Sequence, residues 1–351
     1  MQAWMIYGAN GYTGSLIAKQ AVHLGMKPIL AGRRDGAIAE LARQLGCEKR
    51  IFPLDDEQAV DRALAGIGLV LNCAGPFSAT SQAMISACLK HRVHYLDITG
   101  EIGVFEYAHS KHAAAQAAGV VLCPGVGFDV IPTDCVASAL KEALPDATEL
   151  ALGFASKSRL SPGTAKTSVE GMALGGKVRK NGRVTTVPFA YKTREIDFGG
   201  GVLMASTIPW GDVATAYYST GVPNIEVYMA TPPHAIAQMR RLNLLRPLMR
   251  WGMVQRLLKT MVERRVQGPG EAMRRNTPTH VWGEARNAAG QVKVARVRTA
   301  NGYQLTIDGS LTVIQRMLAQ PPATGGYFTP STLCGWQLVE SIPGSGKVEI
   351  V

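Results

Sequence analysis

Over the first 125 residues, short apolar runs alternate with stretches whose apolar positions recur every three or four residues. The runs at 3–7, 28–31, 50–52, 69–72, 94–97 and 120–123 predict strands. The periodic stretches at 12–24, 37–45, 57–64, 81–91 and 104–118 predict helices. Strand–helix alternation at this pitch predicts a parallel sheet with right-handed crossovers and helices on both faces. Six such strands suit the doubly wound order in which a ligand lies across the carboxyl ends of the strands.

The pattern changes near Pro124. The segment Pro124-Gly125-Val126-Gly127-Phe128-Asp129-Val130-Ile131-Pro132-Thr133-Asp134 is rich in turn formers and feeds a helix over 135–144. Beyond it the runs read as strands separated by long loops: 149–154, 184–189, 224–230, 279–285 and the charged strand 292–299. Helices are expected at 304–319 and 329–340, and a short strand at 347–351. The expected class is α/β: a Rossmann-type doubly wound parallel sheet over 1–125, then a second α+β domain with a mixed or antiparallel sheet over 126–320. Residues 321–351 form a helix and strand returning to the first domain.

The turns after the predicted strands carry the candidate chemistry. Gly8, Gly11 and Gly14 sit between the first strand and first helix in the segment Gly8-Ala9-Asn10-Gly11-Tyr12-Thr13-Gly14. Glycines let the backbone approach a diphosphate, and the helix start presents free N–H groups and a positive dipole end to it. The same spacing also serves a tight turn with no ligand, so the other strand ends decide. After the second strand come Arg33 and Arg34, with no acid in that position. An acid there suits a free ribose 2′-hydroxyl, whereas guanidinium groups suit a 2′-phosphate. The expected cofactor is therefore NADP. Asp55, after the third strand, is placed to receive the adenine amino group. Ala74, Gly75 and Pro76 follow the fourth strand, and Gly100 and Glu101 the fifth, as small-residue turns near the second ribose and nicotinamide.

Composition narrows the classes. Apolar residues make up 46% of the chain, enough for a sizeable core, and no run approaches the ~20 apolar residues of a membrane span. The six cysteines form no CxxC pair and read as reduced, mostly buried thiols; no metal-ligand cluster is expected. The start of the chain lacks the basic lead-in of a signal peptide, so a cytoplasmic location is expected. The net charge is +11, and residues 240–275 alone carry ten Lys/Arg against two acids. Trp251 is the one aromatic in that stretch, which speaks against nucleic acid. Two amphipathic helices separated at Pro247 are expected there, lying over the second domain or meeting an anionic membrane or an acidic acyl-carrier partner.

Taken together, GANGYTG at 8–14, AGRR at 31–34, NCAGPF at 72–77, YLDITGE at 95–101 and PGVGFDVIPTD at 124–134 resemble the saccharopine dehydrogenase-like NADP-binding oxidoreductases. SPGTAKTSVE at 161–170, GPGEAMR at 268–274 and GGYFTP at 325–330 extend the similarity, with the trans-acting enoyl reductase branch closest. The resemblance implies NADP(H), hydride transfer, and Asp129 and Thr164 positioning a substrate beside the nicotinamide. Helix capping is the competing role for Asp129. The expected reaction is reduction of a polarised, enoyl-type C=C bond on an apolar or acyl small molecule. A homodimer is a further partner expectation. The alternatives are an extended short-chain carbonyl reductase using Tyr107 and Lys111, a saccharopine-type imine reductase, and a non-enzymatic NADP sensor.

Overall fold

The computed structural model describes residues 3–158, 174–249 and 270–351, with positions 165, 169, 171, 251, 253, 254, 260 and 261 between them. Thr164 and much of the basic stretch 250–269 lie outside the described residues. Two compact units emerge: 1–129 with 303–335, and 130–302 with 336–351.

In chain order the first elements are β1 (Ala3–Tyr7), α1 (Tyr12–His23), β2 (Ile29–Gly32), α2 (Asp35–Leu45), β3 (Lys49–Ile51), α3 (Glu57–Leu64), β4 (Ile67–Asn72), α4 (Phe77–His91), β5 (His94–Asp97), α5 (Ile102–Ser110), α6 (His112–Ala118) and β6 (Val121–Cys123). Then follow α7 (Ile131–Ala143), β7 (Ala147–Ala155), β8 (Gly176–Lys180), β9 (Arg183–Val187), β10 (Thr193–Asp197), β11 (Val202–Thr207), α8 (Asp212–Thr220), β12 (Asn224–Ala230) and α9 (Pro233–Met249). The chain closes with α10 (Glu271–Asn276), β13 (Thr279–Asn287), β14 (Val292–Thr299), α11 (Gly302–Ala319), β15 (Gly326–Tyr327), α12 (Pro330–Cys334), α13 (Leu338–Ser341) and β16 (Glu349–Ile350).

The first unit holds a seven-stranded sheet in the order β15-β6-β5-β4-β1-β2-β3, every pair parallel. The central strand β4 is buried at all six positions, as a strand covered on both faces must be. Its neighbours β1 and β5 supply Met5, Ile6, Tyr95 and Leu96 to the same core. The helices are closed by ordinary local chemistry: Gly46 ends α2 in the left-handed region, and the Asp56 carboxylate caps α3 by accepting from Ala59 N at 3.0 Å.

The second unit holds a mixed sheet in the order β10-β11-β12-β7-β13-β14-β16, with β8 and β9 attached beside β12. β12 and β7 pair in parallel, and the remaining pairs are antiparallel. Gly283 lets α7 settle onto β13: a Cβ there would lie 2.6 Å from a Val136 methyl and 2.8 Å from one of Leu140.

Three helix expectations change. The stretch 104–118 is two helices meeting at Lys111, where Ser110 Oγ bonds back to Tyr107 O at 2.6 Å and competes with the helical ladder. The stretch 329–340 is likewise broken, at Gly335, whose φ of +78° leaves the helical region. Conversely α9 continues through Pro247 to Met249. The missing N–H falls within the final turn, so the lost bond is confined to the helix end.

Candidate active site

The first unit brings the predicted turns together at the carboxyl edge of its parallel sheet. Gly8 leaves β1 with φ +81°, and a Cβ on it would lie 2.7 Å from the backbone N of Ala74. A Cβ on Gly14 would lie 2.4 Å from Gly8 O, so α1 can approach the turn only because position 14 is bare. Gly8 N and Ala9 N both donate to Ala31 O, tying the turn to the end of β2, and Gly11 N donates to Gly8 O at 3.0 Å. No side chain caps the start of α1. Bare glycines, a close β1–β4 approach and open helix N–H groups fit a dinucleotide diphosphate. Asn10 is exposed beside this turn, Thr13 is half-buried in the first turn of α1, and Tyr12 packs edge-on against Tyr303 at 5.5 Å between ring centres.

Arg33 and Arg34 are exposed immediately after β2, and Asp55 is exposed after β3. Arg33 and Asp55 both act electrostatically on the Tyr7 phenol, Arg33 lowering and Asp55 raising its pKa, while burial pushes it up overall. They therefore share one neighbourhood at this end of the sheet. Tyr7 is itself pinned, its hydroxyl donating to Phe52 O at 3.2 Å.

The β4 turn is held from several sides. Asn72 is fully buried; its Oδ1 accepts from Ala74 N at 3.0 Å and its Nδ2 donates to Thr80 Oγ1 at 3.2 Å. Thr80 Oγ1 in turn donates to Ala74 O at 2.7 Å. Gly75–Pro76 is a cis peptide. Glu101 lies at this turn as a helix cap: its two carboxylate oxygens accept from Phe77 N and Ser78 N, each at 2.8 Å, at the start of α4. That geometry occupies those amide groups with the protein's own carboxylate, a bracing arrangement favoured by the helix dipole.

A buried triad underlies these turns, with Asp97 at its centre. Asp97 is fully buried; Oδ2 accepts from the Tyr95 hydroxyl at 2.7 Å, and Oδ1 accepts from Thr99 N at 3.0 Å and Gly125 N at 2.8 Å. Burial pushes its carboxyl up to about 6 against these stabilising hydrogen bonds. Val126 N donates to Asp97 O, and Phe128 N donates to Thr306 Oγ1 on α11 at 3.0 Å. The segment 125–128 is thereby fixed from two directions.

Asp129 ends that segment. Its carboxylate sits against Gly100: a Cβ on Gly100 would lie 2.6 Å from Asp129 Oδ2. Loss of water around the group pushes its carboxyl up to about 7, with burial as the sole cause. Gly100 leaves the space that this carboxylate occupies. No group of three or more His, Cys, Asp or Glu side chains suited to a metal occurs among the described residues. None of the six cysteines is in a disulfide; three are buried and three half-buried.

Tyr107 and Lys111 are placed elsewhere. The Tyr107 hydroxyl meets Ser86 Oγ at 3.5 Å, nine residues along α4, which is about 13 Å from the helix start at the carboxyl edge. The Lys111 ammonium stands 5.2 Å from the Tyr107 ring centre, on its face.

Signals for the supporting residues are uneven. Asn72, Asp97 and Thr99 belong to turns that the strand ends mark. Thr306 has none, because it reaches Phe128 from 178 positions away.

A 3-2-1-4-5-6 parallel core with a bare glycine turn after its first strand defines a dinucleotide-binding α/β protein. Residues 4–123 match the family described as saccharopine dehydrogenase NADP binding domain. It is 28% identical over 206 residues to the trans-acting enoyl reductase of Mycobacterium tuberculosis, covering 54% of this chain and 49% of the relative. It is 26% identical over 200 residues to a probable mitochondrial saccharopine dehydrogenase-like oxidoreductase of Arabidopsis thaliana, covering 50% and 44%. The chain spans about half the length of these curated relatives. Among solved structures it resembles a homospermidine synthase from Legionella pneumophila in complex with NAD, at TM-score 0.67 and 10% identity over 100% of this chain and 91% of that one. Saccharopine dehydrogenase from Saccharomyces cerevisiae follows at TM-score 0.63 and 9% identity, with both chains fully covered. At these identities the two structures speak to the fold alone.

Proposed function

We propose that this protein is an NADP(H)-dependent oxidoreductase that reduces a polarised, enoyl-type C=C bond of an apolar or acyl substrate. The observation that carries the reading is Asp129: a sheltered carboxyl, pushed up to about 7, at the same sheet edge as the glycine turn. When bound, the dinucleotide supplies the hydride. Gly8, Gly11 and Gly14 admit the diphosphate, and the α1 N–H groups face it. Arg33 and Arg34 hold the 2′-phosphate, Asp55 receives the adenine amino group, and Ala74, Gly75 and Pro76 line the path of the second ribose. Asp129 holds a proton at neutral pH and gives it to the substrate carbon left with the electron pair once the neighbouring carbon has accepted hydride. Thr164 is assigned to positioning the substrate.

The electrostatics favour an apolar substrate over a polycarboxylate. Between residues 95 and 134 the only Lys or Arg is Lys111, whereas Asp97, Glu101 and Asp129 bring carboxyl groups to this edge. A substrate with several carboxylates would find no guanidinium in this segment to offset its charge. The position of Tyr107 against Ser86, on the outer helices, disfavours the short-chain carbonyl reductase reading.

The partner proposals concern residues 240–275, whose charge suits an anionic membrane surface or an acidic acyl-carrier protein, and a homodimer. No helix among the described residues is long and apolar enough to cross a membrane. The test of the reaction is NADPH consumption against enoyl thioesters and, separately, against keto-acid plus amino-acid pairs. Turnover confined to the enoyl thioesters is expected; robust turnover of the second set alone overturns the assignment, and none with either leaves the sensor reading.

A further inference from the structure

The second unit carries a concave site built partly on α9, the helix that opens the basic stretch 240–275. An open groove of about 440 Å³ lies between the edge of the mixed sheet and α9, lined among the described residues by Thr193, Met204, Pro233, Ile236, Ala237 and Arg240. That volume falls within the ordinary range of small-molecule sites. The four helix residues are spaced i, i+3, i+4 and i+7, so they form one face of α9. The facing wall comes from β10 and β11, where Thr193 stands at the start of the terminal strand of the sheet.

The wall chemistry is divided. Met204, Pro233, Ile236 and Ala237 are apolar, and Ile236 is buried. Arg240 is the one charged group among the described lining residues. It is exposed, and its contact with Thr193 Oγ1 is long, at 3.5 Å, leaving most of the guanidinium fork to other acceptors. Arg241 is exposed beside it. Arg246 is committed elsewhere, donating to Leu174 O at 2.9 Å. One turn beyond Arg240, Leu244 is 84% exposed, so the apolar stripe of the helix continues out of the groove. Val202 and Leu203 are exposed on the neighbouring strand. Glu195 is exposed opposite Met204 in the strand register. Its charge disfavours an anion at the strand side and directs it to the helix side, where the arginines stand.

We infer that this groove binds a single acyl chain bearing an anionic head, with the chain against Met204, Ile236 and Ala237 and the carboxylate or phosphate on the Arg240 guanidinium. Planar guanidinium matches both head groups in a bidentate manner. The lining residues all belong to the second unit, and none of them is a residue of the dinucleotide turn.

The experiment is calorimetric titration of the full chain, without dinucleotide, using dodecyl phosphate and dodecanoate below their micelle concentrations and dodecanol as the uncharged control. Saturable one-to-one binding of both anions is expected, at least tenfold tighter than dodecanol. Arg240→Gln should weaken the anions at least tenfold and leave dodecanol unchanged, as expected for loss of a charge-assisted contact. Ala237→Trp, a change at an exposed helix position, should abolish binding of all three by filling the groove. Binding of the anions unchanged in both variants overturns the site, as does the absence of one-to-one binding by the wild type. A parallel sedimentation with phosphatidylglycerol vesicles separates the sources of lipid: wild-type protein that pellets with vesicles yet ignores monomeric dodecyl phosphate refutes the single-chain site. Because nothing in these measurements involves NADPH, their failure leaves the reductase assignment standing, and loss of reductase activity leaves them unaffected.

Discussion

Replacing Asp129 with Asn should stabilise the protein at alkaline pH while removing the proposed proton donor. The carboxyl titrates at about 7 in the folded protein against an ordinary value of 3.8. A carboxyl raised on folding binds its proton more tightly in the folded state than in the unfolded chain. Its contribution is therefore fully present below about 3.8, declines as pH rises toward 7, and is lost above it. The gap corresponds to about 4 kcal/mol at 1.36 kcal/mol per pH unit. Asp129 is only half-buried, so water recovers part of this cost, and about 2 kcal/mol is the working figure. Asn has nearly the same shape and carries no charge at any of these pH values.

Melting temperatures of wild type and Asp129→Asn should coincide near pH 4 and separate progressively to pH 8, the variant ending higher by about 4–8 °C at 2–4 °C per kcal/mol. Activity should move the opposite way. In the proposed role the protonated carboxyl donates, so wild-type kcat/KM should fall tenfold per pH unit above 7, and the variant should lose about 100-fold or more at pH 6. A constant difference in melting temperature from pH 4 to pH 9 would refute the assigned burial cost. An unchanged turnover in Asp129→Asn would remove the residue from the mechanism whatever the melts show.

Removing both guanidinium groups, in Arg33→Ala with Arg34→Ala, should reduce the preference for NADPH over NADH at least tenfold, since one charge-assisted contact is worth roughly 1.5–3 kcal/mol; equal wild-type affinity for the two cofactors, measured by fluorescence titration, would sink the 2′-phosphate assignment. Gly14→Ala places a Cβ 2.4 Å from Gly8 O and must push α1 off the turn, so NADPH affinity should fall at least tenfold and stability by about 1–3 kcal/mol; calorimetry on a variant that binds NADPH normally would contradict the close packing. Glu101→Gln removes the charge that caps α4 and should cost about 1 kcal/mol in urea unfolding, with a much smaller effect on NADPH affinity; the reverse pattern would make Glu101 a cofactor ligand.

The first sheet is legible where its strands are buried on both faces. Such strands read as uninterrupted apolar runs, and β4, with six buried residues in six, is the clearest. The second sheet is harder to read. β10 alternates Arg194 and Ile196 with Thr193, Glu195 and Asp197 at the sheet end, and β11 begins with two exposed residues, so neither presents a run. β15 is two residues long, too short for any period to register. Helix breaks at Lys111 and Gly335 turn on a single Ser–carbonyl bond and a single glycine dihedral. At the candidate site, the glycines and arginines are proposed from residue type and spacing, and Asp129 from the family resemblance. The groups that hold them are not legible, because Thr306 meets Phe128 only through the fold.

The short turn from Asp97 to Glu101 braces several parts of the candidate site at once. Asp97 fixes the backbone at Gly125 and Val126, Gly100 leaves room for the Asp129 carboxylate, and Glu101 anchors the start of α4 just after Pro76. One five-residue loop thus bears on both the cofactor-side turn and the proposed proton donor. Its hydrogen bonds are charge-assisted, shorter and stronger than neutral ones, and the Asp97 bonds are fully buried, where they gain from the low dielectric. The cost is visible in the raised carboxyl of Asp97, which burial opposes even with three donors aimed at it. A pair of groups that must meet one substrate to within a fraction of an ångström is better hung from a single rigid turn than from two independent loops. By that reasoning a disturbance at Asp97 should displace the Ala74–Pro76 turn and Asp129 together, whereas a disturbance at Arg33 or Arg34 should leave Asp129 where it is.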